Sequence, residues 1–272
     1  MSRRRAPRAA RAVLACALAL ALPAGAPAAE PPAPLRVSAA ASLAEAFTEI
    51  ARGFERSHPG VAVRLNLAGS QQLAAQLEHG AVADVFASAD ERWMEHVAAR
   101  GLLAGEARTF ARNRLVVIVP RTNPARIGRL QDLARRGVKL VLGADAVPVG
   151  RYSREALERL AGSEGFERDF ARRVLANVVS EEENVRAVVG KVQLGEADAG
   201  IVYRSDVPPA LERSVRTFEL PEAADVIAHY RIAVLAGATR PEVARAFVER
   251  VLSSEGQAAL VRRGLLPAAA GP

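Results

Sequence analysis

Along the chain, short runs of apolar residues alternate with stretches in which apolar positions recur every three or four residues. The runs fall at 35–39, 61–68, 85–88, 115–119, 139–142, 199–202 and 226–235, the length and character of strands covered on both faces. Helical spacing occupies 42–56, 71–78, 91–100, 154–160, 166–174 and 185–194, with two further segments at 241–253 and 255–263. This alternation predicts an α/β fold with mostly parallel sheets and helices on their faces. Ligands of such sheets gather at the carboxyl ends of strands, where loops feed helix N-termini.

One such junction stands out. The apolar run ending at Ala41 stops at Ser42, and Leu43, Ala46, Phe47, Ile50, Ala51 and Phe54 follow at helical spacing. Ser42 is therefore expected at the N-cap, with Glu45 completing an S-x-x-E capping box. A helix start also leaves backbone N–H groups unpaired and carries partial positive charge, so the same junction can hold an anion. The local pattern does not separate the two roles. No glycine-rich phosphate loop is seen: the segment from Gly143 to Gly150 matches neither the P-loop nor the dinucleotide fingerprint.

The N-terminus changes the charge argument. A basic segment from Arg3 to Arg11, an apolar run over 12–22 and small residues around Ala28 and Ala29 predict a secretory signal peptide at 1–29. Its apolar run is too short to span a membrane. Removal takes five arginines and no acid, lowering the net charge from +7 to +2, so the basic balance argues for no nucleic-acid partner. The single cysteine, Cys16, lies within that run, which continues past it and so argues against lipidation; the exported chain then has no disulfide and no thiolate chemistry. About 240 residues remain, enough for two lobes, each with its own core.

Five segments form an ordered set: Ala39-Ala40-Ala41-Ser42-Leu43, Gly69-Ser70-Gln71-Gln72-Leu73, Ala83-Asp84-Val85-Phe86-Ala87-Ser88, Val147-Pro148-Val149-Gly150-Arg151-Tyr152, and Gly200-Ile201-Val202-Tyr203-Arg204-Ser205-Asp206. In order and spacing the chain resembles the periplasmic molybdate-binding proteins of molybdate ABC transporters, type II periplasmic solute-binding proteins. The resemblance implies two α/β lobes, 30–111 with 224–272 and 112–223, and a tetrahedral oxyanion in the cleft between them. It implies ligand contacts from Ser42 and Ser70 in the first lobe and from Val149, Val185 and Tyr203 in the second. The serines would offer hydroxyl and backbone N–H groups, the valines backbone N–H groups, and Tyr203 its phenol. The molybdenum would be held as its oxyanion, without side-chain coordination of the metal and without any cofactor. The implied protein is a periplasmic monomer that takes molybdate or tungstate to an inner-membrane ABC permease, and it is not an enzyme. Sulfate or another tetrahedral oxyanion is the alternative ligand.

Two features depart from the family pattern. Val149 stands where alanine is common, and Gln71-Gln72 replace small residues, so a glutamine amide could compete for the ligand. The acids Glu181, Glu182 and Glu183 before Val185 must face solvent for an anion to bind. Other readings are weaker. A hydrolase using Ser42 or Ser70 lacks a G-x-S-x-G context and a neighbouring base, and a transcription regulator with a ligand-sensing domain lacks a helix-turn-helix and would not be exported. His58, His79, His96 and His229 share no metal-ligand spacing, Trp93 and Met94 read as core, and Asp84 and Asp90 as turn or capping residues.

Overall fold

The structure is a computed structural model and describes residues 33–268; the expected signal peptide and Cys16 lie outside them. Eleven strands appear: β1 (Leu35–Ala40), β2 (Val63–Ala68), β3 (Val85–Ser88), β4 (Arg108–Asn113), β5 (Leu115–Pro120), β6 (Leu140–Gly143), β7 (Val178–Glu182), β8 (Ala199–Tyr203), β9 (Val215–Glu219), β10 (Ala228–Val234) and β11 (Leu266–Pro267). The α-helices are α1 (Ala44–Ser57), α2 (Ser70–Glu78), α3 (Glu91–Ala98), α4 (Pro148–Leu160), α5 (Phe170–Leu175), α6 (Val185–Gln193), α7 (Pro241–Leu252) and α8 (Ser254–Arg262).

The strands form two sheets, ordered β11-β4-β10-β3-β1-β2 and β7-β6-β8-β5-β9. Both are mixed rather than mostly parallel. β1 runs parallel to β2 and β3, and β6 parallel to β7 and β8, whereas β10 and β5 pair antiparallel with both their neighbours. The antiparallel strands are those that carry the chain between sheets. It leaves the first sheet after Asn113, enters the second at Leu115, and returns between Glu219 and Ala228.

Each lobe owes its core to the predicted periodicity. The apolar face of α1 buries Phe47 and Phe54 against Phe247 of α7 and Phe110 of β4, with tilted or edge-on rings 5.3–6.1 Å apart. In the second lobe β5 is buried along its whole length, as expected for a strand with sheet neighbours on both sides and helices over its faces. Asp84 fastens the first lobe: its carboxylate accepts the backbone N–H of Arg36 at 2.7 Å and both the N–H and hydroxyl of Thr239 at 2.7 and 2.9 Å. Asp90 caps α3 by accepting the Trp93 N–H at 3.0 Å. Asp90 thus has the capping role read from the sequence, whereas Asp84, read as a turn or capping residue, instead ties β1 to the segment before α7.

Candidate binding site

Helix starts from both lobes converge on one small cavity. Its lining includes Ala41 and Ser42 from the turn after β1, Gly69 and Ser70 at the start of α2, Val147, Pro148 and Val149 at the start of α4, Asn184 and Val185 at the start of α6, and Tyr203 at the end of β8. The five residues expected at the site are therefore together. The cavity is small, about 20 Å3 in volume, room for a single compact group. No charged side chain lines it among the described residues.

Ser42 is not the helix cap that its sequence context suggests. A 3-10 turn over Ala41–Leu43 intervenes between β1 and α1, and the cap position of α1 falls on Leu43 with no side-chain bond. The Ser42 hydroxyl instead lies 2.9 Å from the phenol oxygen of Tyr230, buried in β10. Glu45, released from the capping box, pairs with Arg186 of α6 at 2.8 Å. The buried phenol of Tyr230 needs a partner, and the extra turn places Ser42 to supply it.

Ser70 is the first residue of α2, following Gly69 in the cap position. Its hydroxyl oxygen accepts the N–H of Ala89 at 3.0 Å, which leaves its own proton free for the cavity. Val149 and Val185 stand in the first turns of α4 and α6, where backbone N–H groups have no partner within the helix. Sequence periodicity alone starts α4 at 154. The helix in fact begins at Pro148, a favoured first position. A methyl carbon at Gly150 would run into the carbonyl oxygens of Gly143 and Ala144, so only glycine lets this helix start approach β6 so closely.

Tyr203 is 1% exposed, and its hydroxyl is buried with no hydrogen-bond partner in the protein. Burial, reinforced by the phenols of Tyr230 and Tyr152, pushes its pKa well above the ordinary phenol value. It stays a protonated donor across the physiological range. An unpartnered buried hydroxyl costs about 1–3 kcal/mol, a cost that a hydrogen-bond acceptor in the cavity would relieve.

The lobes touch around the cavity. Gln71 donates to the carbonyl of Glu183 at 2.6 Å and Gln72 to its carboxylate at 2.8 Å. The glutamines thus span the cleft, and their donor nitrogens are not competitors for a ligand. Trp93, expected in the core, is half-buried at the same boundary and donates its indole N–H to the carbonyl of Ala146 at 2.8 Å; its amphipathic ring suits a boundary that needs one donor. Arg151 lies 3.6 Å from Asp90, whose carboxyl burial pushes upward in pKa. The acids before α6 are turned away from the cavity: Glu181 pairs with Arg154, Glu182 with Lys191 at 2.7 Å, and Glu183 with Gln72. The histidines stay apart, His58 stacked on Phe54 and His96 beside Trp93 and Glu78, and no cluster of metal ligands occurs among the described residues.

Behind Tyr203, the carboxylate of Asp206 accepts that residue's backbone N–H at 3.1 Å. Burial raises its pKa from 3.8 to about 7 against the opposing pull of that N–H and of Arg186. A carboxyl that holds its proton more tightly folded than unfolded favours the folded state fully below 3.8, and the contribution is lost as pH rises through about 7. Asp206→Asn is therefore expected to flatten the fall in stability across that window. Chemical denaturation over a pH series checks this, and an unchanged profile would assign the slope to another group.

Two lobes, each built on a mixed sheet, closing on a cavity of uncharged donors define a binding protein of the type II periplasmic architecture. The chain belongs to the bacterial extracellular solute-binding proteins, which it matches over residues 35–266, and within them to the ModA type. It is 42% identical over 228 residues to the molybdate-binding protein ModA of Mycobacterium tuberculosis, covering 84% of this chain and 82% of that one. With ModA of Escherichia coli it shares 33% identity over 211 residues, 75% of this chain and 77% of that one. Among solved structures, the periplasmic molybdate-binding protein of Azotobacter vinelandii superposes with a TM-score of 0.72 at 20% identity, covering 85% of this chain and 98% of that one. The sulfate-binding protein SubI of Mycobacterium tuberculosis gives 0.75 at 18% identity over 86% of each chain. These two likenesses concern the fold alone.

Proposed function

We propose that this protein captures molybdate in the periplasm and delivers it to the permease of an ABC transporter in the inner membrane, with tungstate as a second ligand. The observation that carries the reading is the Tyr203 hydroxyl, buried without a protein partner beside a cavity lined by two serines and first-turn N–H groups. A dianion without protons accepts hydrogen bonds and donates none, so it suits a pocket of donors. Helix starts supply positive potential without a basic side chain, so no ion pair has to be broken for the anion to leave. Hydrogen bonds to a charged partner contribute roughly 1.5–3 kcal/mol each. Five to seven of them offset the dehydration of the anion and leave a net affinity in the micromolar range or tighter, about −8 kcal/mol or more.

In this reading Ser42, Ser70, Val149, Val185 and Tyr203 hold the ligand, no cofactor takes part, and the protein works as a monomer without a nucleic-acid partner. It performs no catalysis: the serines' partners are a phenol and a backbone N–H, neither of them a general base. Calorimetric titration with molybdate, tungstate, sulfate and phosphate tests the assignment. One molybdate site per chain is expected, with sulfate and phosphate weaker by about a hundredfold, a margin of roughly 2.7 kcal/mol. Sulfate binding as tightly as molybdate would move the ligand assignment to the alternative while leaving the transport role.

A further inference from the structure

The hydroxyl of Ser42 ends a chain of buried groups whose hydrogen-bond direction is set from outside the cavity. Asn113, the last residue of β4, is fully buried. Its Oδ1 accepts the backbone N–H of Arg114 at 3.0 Å, which fixes the side-chain amide with its nitrogen pointing the other way. That nitrogen donates to the hydroxyl of Ser205 at 2.8 Å and, over a longer 3.3 Å, to the phenol oxygen of Tyr230. A phenol has one proton. With its oxygen facing an N–H, Tyr230 turns that proton to the next oxygen, Ser42 Oγ at 2.9 Å. Ser42 then accepts from Tyr230, and its own proton is left for the cavity it lines.

The backbone prepares this arrangement. The pairing of β10 with β4 slips between Tyr230 and Arg231, the kind of irregularity that re-aims a side chain beside a site. Neither Tyr230 nor Asn113 lines the cavity, so neither would touch a bound anion.

We propose that Asn113 and Tyr230 are positioning residues that lock the Ser42 hydroxyl as a donor, so that the site discriminates against oxyanions carrying a proton. The inference rests on the reading of the cavity as an oxyanion site. An oxyanion with an O–H, such as hydrogen phosphate, needs an acceptor to receive its proton. A serine free to rotate could be that acceptor; a serine that accepts from Tyr230 and keeps its proton for the ligand is a poor one.

The test compares the parent protein with Asn113→Asp and Tyr230→Phe, measuring affinity for molybdate directly and for hydrogen phosphate by competition at mildly alkaline pH. Circular dichroism verifies folding. Asn113→Asp keeps the shape and the Arg114 contact but accepts where asparagine donates. Tyr230 then turns its proton to the new carboxylate, Ser42 donates to Tyr230, and a lone pair of Ser42 faces the ligand. Both ligands are dianions, so repulsion from the added charge affects both similarly and cancels in the ratio of their affinities. That ratio is expected to fall at least about tenfold, the weight of one charge-assisted hydrogen bond. Tyr230→Phe frees Ser42 to rotate and should lower the ratio by a smaller factor; it decides the matter if Asn113→Asp does not fold. A ratio unchanged in the folded variants, or phosphate competition undetectable in all three proteins, would overturn the inference. A parent protein that binds no oxyanion would instead overturn the functional reading beneath it.

Discussion

Gly69→Ala is expected to weaken molybdate binding by two orders of magnitude or more while leaving the protein folded. Gly69 has φ −62° and ψ 142°, a conformation any residue adopts, so alanine causes no backbone strain. The obstacle lies across the cleft. A methyl carbon at this position would sit 2.5 Å from the carbonyl oxygen of Glu183 in the other lobe, and 2.5 Å from the amide of Gln71. The glutamine can swing aside, but the carbonyl is backbone and leads into α6. A carbon–oxygen contact relaxes at about 3.3–3.6 Å, so the lobes must part by nearly an ångström. That separation stretches the bonds that Val149, Val185 and Tyr203 are proposed to make while the first lobe holds the anion. Losing even two of them costs about 3–6 kcal/mol, or two to four orders of magnitude. Titration calorimetry beside a thermal melt of the unliganded protein checks both halves. Undiminished affinity would show that the lobes need not approach this closely to bind.

The second large effect is expected at Ser70. Its hydroxyl stands between the buried N–H of Ala89 and the cavity, accepting from one and donating to the other. Ser70→Ala removes a donor from the ligand, a loss of roughly 1.5–3 kcal/mol or about ten- to hundredfold in affinity. It also strips the Ala89 N–H of its partner, which costs about 1–3 kcal/mol of stability if no water enters. Affinity and unliganded melting temperature should therefore fall together, unlike Gly69→Ala. A variant that melts lower but binds molybdate as tightly as the parent would assign Ser70 to the scaffold alone.

Much of the fold was legible because burial leaves continuous apolar runs. β1, β3, β5, β6 and β8 are fully or almost fully buried and were plain in the sequence. The strands that escaped are β4, with the sequence RTFARN, β7 and β9, VVSEE and VRTFE, and the two-residue β11. β7 and β9 are the two edges of the second sheet, where half the side chains face water and charged residues break the run. β4 lies between β10 and the two-residue β11, so one side is barely covered. The same strands explain why the sheets read as mostly parallel: without β4 and β9, most of the antiparallel pairings have no visible partner.

At the site, the order of motifs pointed to the five residues that the structure brings together, but their local roles were harder to read. Ser42 had every neighbour of a cap, and what removes it from that role is Tyr230, 188 positions away. Asn113 and Tyr230 had no signature at all, because a buried polar pair is defined by what surrounds it. Gln71 and Gln72 looked like competitors for the ligand because sequence does not say which side of a cleft a side chain faces.

The bonds across the cleft from Gln71, Gln72 and Trp93 bear on time rather than on strength. An anion held by both lobes, as proposed, would be released as these contacts separate, so its residence would follow the lifetime of the shut form. Part of that lifetime is written in side chains that need never touch the anion, and it can change while the chemistry of recognition stays the same. A permease that pries the lobes apart would then set the moment of unloading, and the protein could hold its cargo through many encounters with water and hand it over in one.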